Sequence, residues 1–320
     1  MHKDIDKIAF ILANIHSGSA ISLLPAFVKE AEQIKKSIWL FPGGRIDAPD
    51  LDERLQNKIY EKVNNCFDGV VSWASSIGAF VNPEKLTSFH YQFNTLPIVT
   101  MSHEIPDIPS VSIDAYQAMY LLLEHFYKSH NIKEFAFIQG PAEHRSAQDR
   151  LRMFKDFHKK NNLLLREEYI TSPYDWSEGE QAILELIDKR KLIPGKDFKA
   201  LIASSDLQLY QAIQILQRRG YAIPKDILVG GFNNSLESQI AFPPFTTVHS
   251  PIREQALFAI RELINFEKKK EKSYRKYLHG YLIIRRSCGC IPVLDAYKNT
   301  IKANYLDSDN IKKSRRFPFN

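Results

Sequence analysis

The feature that most constrains this chain is a beat. Apolar runs rich in β-branched residues return near residues 8–15 (IAFILANI), 37–41 (SIWLF), 67–73 (FDGVVSW) and 96–101 (LPIVTM), at steps of about thirty residues. Steps of that length are too long for hairpins and right for a strand, a crossover helix and the next strand. The gaps hold helical periodicity: Leu24, Phe27, Ala31 and Ile34, then Leu55, Ile59 and Val63, then Met119, Leu122, Leu123 and Phe126. The beat restarts at EFAFIQG (134–140), weakens at 168–171 (EYIT), and resumes at KALIASS (199–205) and DILVGGF (226–232). In the helix before the last of these, Asp206 is placed to cap the start and Gly220 to end it in a left-handed turn.

Strands that are apolar throughout, alternating with amphipathic helices, imply parallel sheets covered on both faces. The expected architecture is therefore α/β, two doubly wound lobes of four βα units each. A short extended piece, a helix burying Ala256, Leu257, Ile260, Leu263 and Ile264, and a last strand in GYLIIRRS remain after the second set. Such leftovers return to complete earlier sheets, which joins the lobes by several crossings and makes a hinge. The expected division is 7–130 plus 249–275 for one lobe, 131–248 plus 276–290 for the other, and 291–320 as a basic tail or the start of a linker. In open α/β sheets the ligand crevice lies beyond the carboxyl ends of the strands, so two facing sheets enclose one cleft.

Composition excludes several classes of function. At 320 residues, 44% hydrophobic and 25% charged, the chain is an ordinary globular protein with room for two cores. No run approaches the roughly 18 apolar residues of a membrane span, and the N-terminus lacks the pattern of a secretory signal, so a cytoplasmic protein without membrane contact is expected. Cys66, Cys288 and Cys290 read as free thiols. The net charge of +6 is modest, and six Lys or Arg against three Asp after Ile291 place much of it in the tail. The alternating charges of EKKKEKSYRK (267–276) read as a helix end running into a surface loop.

The usual enzyme signatures do not occur: there is no phosphate loop, G-x-G-x-x-G, G-x-S-x-G or H-E-x-x-H, and no enzymatic activity is expected. No metal or cofactor is assigned either. His125 and His130 share a helix but stand five apart, too far round for one ion, and two thiols in SCGC lack further ligands. What remains is a set of polar and aromatic residues at strand ends: Ser17, Trp73, Asp114, Arg150, Trp176, Ser205, Asn233 and Ser250. Their chemistry suits a small polyol. An aromatic face packs on the C–H side of a sugar ring, a guanidinium donates to two neighbouring oxygens, and a carboxylate accepts from hydroxyls.

From about Lys7 to Cys290 the sequence resembles the effector-binding core of the lactose-repressor family, which shares its fold with type I periplasmic sugar-binding proteins. The stretches that carry the likeness are FAFIQGPAEHRSAQDRLRMF, ASSDLQLYQAIQILQRRGYAIPKDILVGGFNN, FPPFTTVHSPIREQA and LIIRRSCGC. The resemblance implies effector-binding roles for Arg150, Asp114 and Asn233. This chain departs from the family at Ser205-Asp206, where an Asn-Asp pair is usual, at Asn233 for Asp, and at Met153 for Gly. A sugar-like effector or another polar metabolite is thus implied, with signalling by lobe closure and a homodimer as partner.

Only MHKDID precedes the first strand, where lactose-type repressors resemble one another in carrying a helix-turn-helix head. No sequence-specific DNA binding is therefore expected of this chain alone. The FPGGR, SIGAF and SCGC stretches resemble sensor domains of bacterial signalling proteins. A solute-binding protein of a transport system and an α/β enzyme without a recognised motif remain as alternatives.

Overall fold

The structure, a computed structural model, describes residues 5–16, 18–266 and 273–291. The strands of the first half are β1 (Lys7–Leu12), β2 (Ser37–Pro42), β3 (Gly69–Ser72), β4 (Ile98–Met101) and β5 (Ser110–Ile113). Those of the second are β6 (Phe135–Ile138), β7 (Ala200–Ala203), β8 (Leu228–Asn233) and β9 (Thr246–His249), followed by β10 (Arg275–Leu278) and β11 (Tyr281–Ile283). They form two sheets, of order β10-β5-β4-β3-β1-β2 and β11-β9-β8-β7-β6. Every pairing is parallel except that of β11 with β9.

Burial on both faces explains the unbroken apolar strands. In β1, Ala9 and Ile11 enter one core with Val70, Ile77 and Phe93, while Ile8, Phe10 and Leu12 enter another with Val71, Val99 and the helix Ile252–Ile264. In β6, Ala136 and Ile138 pack with Leu209 and Ile213, whereas Phe135 and Phe137 pack with Phe154, Phe126 and Leu122. Each sheet thus separates two hydrophobic layers, as a doubly wound lobe requires.

The chain passes between the sheets after β5, after β9 and after β10. The boundary expected at 275/276 lies elsewhere, because residues 275–278 pair with β5 in the first sheet and the crossing follows Leu278. The sequence RKYL alternates exposed and half-buried positions, as an edge strand does, and that polarity made it read as loop. His249 likewise belongs to the second sheet, paired with Asn233 and Tyr281. The weak strand expected at 168–171 is a 3₁₀ turn at Glu167–Tyr169 with a single bridge from Ile170 to Phe137.

Asp206 does not cap its helix. Ser205 is the N-cap, its Oγ accepting from Gln208 N–H at 3.3 Å, and Asp206 is the first helical residue, fully buried. Its carboxylate accepts from Thr247 Oγ1 at 2.7 Å and from Ser235 N–H at 2.8 Å, tying the end of β8 to β9. Room for it exists because residue 231 is glycine: a Cβ there would sit 2.2 Å from Asp206 Oδ1. Gly220 ends the helix at φ +89°, as the sequence implied.

Candidate functional site

The carboxyl ends of both sets of parallel strands face one cavity of about 600 Å³. From the first sheet come Asn14 after β1, Arg45 after β2, Trp73 after β3, Ser102 after β4 and Ile113 at the end of β5. From the second come Ser205 after β7, Asn233 at the end of β8 and Ser250 after β9, with His144, Arg150 and Trp176 from the segments between strands. This is the topological position at which α/β sheets place ligands.

Arg150, on the helix Arg145–Lys160, is 6% exposed. One Nη donates to the carbonyl of Ser204, and Nε has no partner among the described residues. The guanidinium lies over the Phe232 ring at 3.8 Å and faces Trp176 at 5.9 Å. Burial pulls its pKa down to about 9, offset in part by the Asp206 and Asp149 carboxylates. His144 stands edge-on to Trp176 at 5.0 Å. Burial, with Arg150 beside it, pushes His144 down to about 3, so it meets the cavity as a neutral imidazole. Trp176 can cross this space only because residue 140 is glycine, where a Cβ would come 2.6 Å from the indole.

Of the residues expected at the site, Trp73, Arg150, Trp176, Ser205, Asn233 and Ser250 line this cavity. Asp114 does not. Its carboxylate accepts from Gln117 N–H at 2.8 Å as the cap of the helix Ala115–His130, and the wall there is made by Ile113 and Ala115. Ser17 lies outside the described residues, as do most of the tail and residues 267–272 of the charged loop.

Sequence reasoning missed the charged bridge across the cavity. Arg45 donates to Glu53 through Nε at 2.7 Å and Nη2 at 2.9 Å, and reaches across to Asp175 through Nη1 at 2.5 Å. Hydrogen bonds and charge from both carboxylates raise the Arg45 pKa and hold the cation firmly protonated. Asp175 and Arg45 stand 130 residues apart, and the only local signal was that Asp175 neighbours Trp176.

The expectation that His125 and His130 cannot approach one point also fails: their Nε2 atoms are 3.4 Å apart, with the thiols of Cys288 and Cys290 beside them.

Residues 123–288 match the family described as periplasmic binding protein-like domain. The chain belongs to that family. This periplasmic binding protein-like domain is 25% identical over 224 residues to the HTH-type transcriptional repressor PurR of Aliivibrio fischeri, covering 69% of this chain and 64% of that repressor's length. Among solved structures it is similar to the transcriptional regulator CelR in complex with cellobiose (TM-score 0.71, 19% identity, 89% of this chain and 85% of that one). It is also similar to the lac repressor dimer bound to operator and the anti-inducer ONPF (TM-score 0.72, 16% identity, 90% and 82%). The domain thus shares the fold of the lactose-repressor effector-binding core and is similar in sequence to repressors that carry one. No helix among its described residues is long and apolar enough to cross a membrane.

Proposed function

We propose that the cavity binds one small, hydroxyl-bearing metabolite of sugar-like chemistry, and that the position of one lobe against the other reports its presence. The observation that carries the reading is Arg150. Arg45 already has two carboxylate partners, Glu53 beside it and Asp175 across the cavity, whereas Arg150 presents a desolvated guanidinium with a buried Nε that has no partner among the described residues. A buried cation with unused donors costs free energy that a ligand's oxygens recover. Trp73 and Trp176 offer apolar faces, and Ser75, Ser102, Ser205 and Ser250 offer hydroxyls around them. The volume of about 600 Å³ suits a molecule between a monosaccharide and a nucleoside or disaccharide in size. That the similar CelR structure holds cellobiose supports a sugar.

The lobes divide, in this reading, at the crossings after Ile113, His249 and Leu278, with the Arg45–Asp175 pair acting across them. The domain acts in the cytoplasm as a homodimer. Ile21, Leu24 and Val28, at spacings of three and four, form an exposed apolar stripe that fits the corresponding face of a second copy. The described residues make no sequence-specific DNA contact and no membrane contact in this reading.

A thermal-shift screen with pentoses, hexoses, disaccharides, nucleosides and amino acids tests it. A ligand at about 100 times its dissociation constant adds about 2.7 kcal/mol. A sugar that raises the Tm of the wild type but not of Arg150→Met supports the proposal, and a shift confined to amino acids, or equal in both proteins, contradicts it.

A further inference from the structure

The helix Ala115–His130 runs from the cavity, where Ala115 is part of the wall, to a far end that carries His125 and His130. Against that end lies the last described turn of the chain, the 3₁₀ segment Arg286–Cys288. Gly289 follows at φ +86°, a left-handed conformation that suits glycine, and it turns the chain so that Cys288 and Cys290 both approach the two imidazoles. His125 Nε2 is 3.4 Å from Cys288 Sγ and 3.8 Å from Cys290 Sγ, His130 Nε2 is 3.3 Å from Cys290 Sγ, and the two Nε2 atoms are 3.4 Å apart. All four ligand atoms lie within 4.8 Å of one another.

These separations are the edges of a coordination tetrahedron. With Zn–N of about 2.0–2.1 Å and Zn–S of about 2.3 Å, tetrahedral angles place two nitrogens about 3.3 Å apart, a nitrogen and a sulfur about 3.6 Å apart, and two sulfurs about 3.8 Å apart. A hydrogen-bonded group would satisfy its members in pairs and has no reason to close all four on one centre. The charge balances as well, because two thiolates neutralise a divalent ion and the half-buried site needs no further counter-charge. Around the ligands, Thr246 Oγ1 lies 3.2 Å from Cys288 Sγ, placed to donate to a thiolate as supporting hydroxyls do around bound metals.

We propose that His125, His130, Cys288 and Cys290 form a tetrahedral site for zinc or a similar borderline-soft divalent ion. All four positions are filled by protein, so the site is structural and leaves no position for water or substrate. It fastens the turn that follows β11 to the far end of the helix whose first residue walls the cavity. The direction in which the chain leaves that turn is thereby fixed relative to the ligand-facing strands.

The test uses the full chain, purified under reducing conditions. Metal analysis after gel filtration should give about one zinc per chain. Cobalt(II) added to protein stripped with a chelator should produce the strong visible bands of tetrahedral coordination and thiolate-to-metal charge transfer. In the wild type, zinc should protect Cys288 and Cys290, but not the exposed Cys66, from alkylation, and chelator should remove the protection. Cys66→Ser should keep the metal, while Cys290→Ser and His125→Gln should lose it. The wild-type spectrum and alkylation pattern stand even if those variants unfold. A wild type without zinc or tetrahedral cobalt bands, a Cys288–Cys290 disulfide in the protein as isolated, or full metal retention in the Cys288→Ser, Cys290→Ser double variant would overturn the proposal.

Discussion

Replacing Arg150 by Met should leave the ligand-free protein as stable as before or more so, although Arg150 is a buried charged residue. Burial lowers the guanidinium pKa to about 9. For a base lowered by folding, both states hold the proton at neutral pH, so the desolvation cost is fully present there and fades only as pH rises through 9. From the ordinary value of 12.5, at about 1.4 kcal/mol per unit of pKa, the cost is of the order of 5 kcal/mol. Methionine is flexible enough to keep the apolar contact with Phe232 and Trp176 and removes that cost. Against it, the Ser204 carbonyl loses its donor, worth about 1–3 kcal/mol. The net of the two is a gain of about 2–4 kcal/mol, consistent with the usual result of replacing buried charges by apolar groups. In differential scanning calorimetry this corresponds to a rise of up to about 8 °C. Ligand affinity should move the other way, falling roughly 10- to 100-fold for one lost charge-assisted contact. A drop in the ligand-free Tm of more than about 4 °C would refute the reasoning, since it would make Arg150 a strut of the fold and not a group held for a ligand.

Asp175→Asn removes the partly buried ion pair to Arg45 while leaving Glu53 in place; at about 1 kcal/mol it should shift an open-to-closed equilibrium about fivefold, seen as a larger radius of gyration in ligand-free scattering, and an unchanged radius would contradict it. Asp206→Asn tests the buried carboxyl: burial raises its pKa to about 6, so the folded chain binds more protons than the unfolded one between about pH 4 and 6 and this group's contribution falls as pH rises through that window. Relative to wild type the Asn variant should therefore gain about 2–3 kcal/mol between pH 4 and pH 7 in denaturant titrations, and a pH-independent difference would contradict it. Val28→Glu on the exposed stripe should convert a dimer to a monomer in light scattering; a wild type already monomeric at tens of micromolar would remove the basis for the stripe as an interface.

What was legible in the sequence follows from how far each interaction reaches along the chain. Parallel strands buried on both faces need apolar residues at every position, so β1, β6 and β7 declare themselves within a few residues. β10 does not, because as an edge strand it needs only alternate burial, and RKYL between charged neighbours resembles a loop. The cavity was partly legible for the same topological reason: strand ends point to it, and Trp73, Ser205, Asn233 and Ser250 could be placed there from strand ends alone. Asp114 also stands at a strand end, but its carboxylate is spent on a helix N-terminus, a local hydrogen bond that outcompetes the cavity for it. Between Ser205 and Asp206 either side chain could cap, and the choice was made by Thr247 and Ser235, which claim the carboxylate from β9 and the end of β8. The Arg45–Asp175 bridge and the His125–Cys288 approach join residues 130 and 163 apart, so no window of sequence contains both partners. The five-residue spacing of His125 and His130 suggests that the two cannot share one ion, and the structure contradicts that expectation. The spacing fails as a criterion because the two rings reach past the helix end to a third element, and the position of that element is set by β11 pairing with β9.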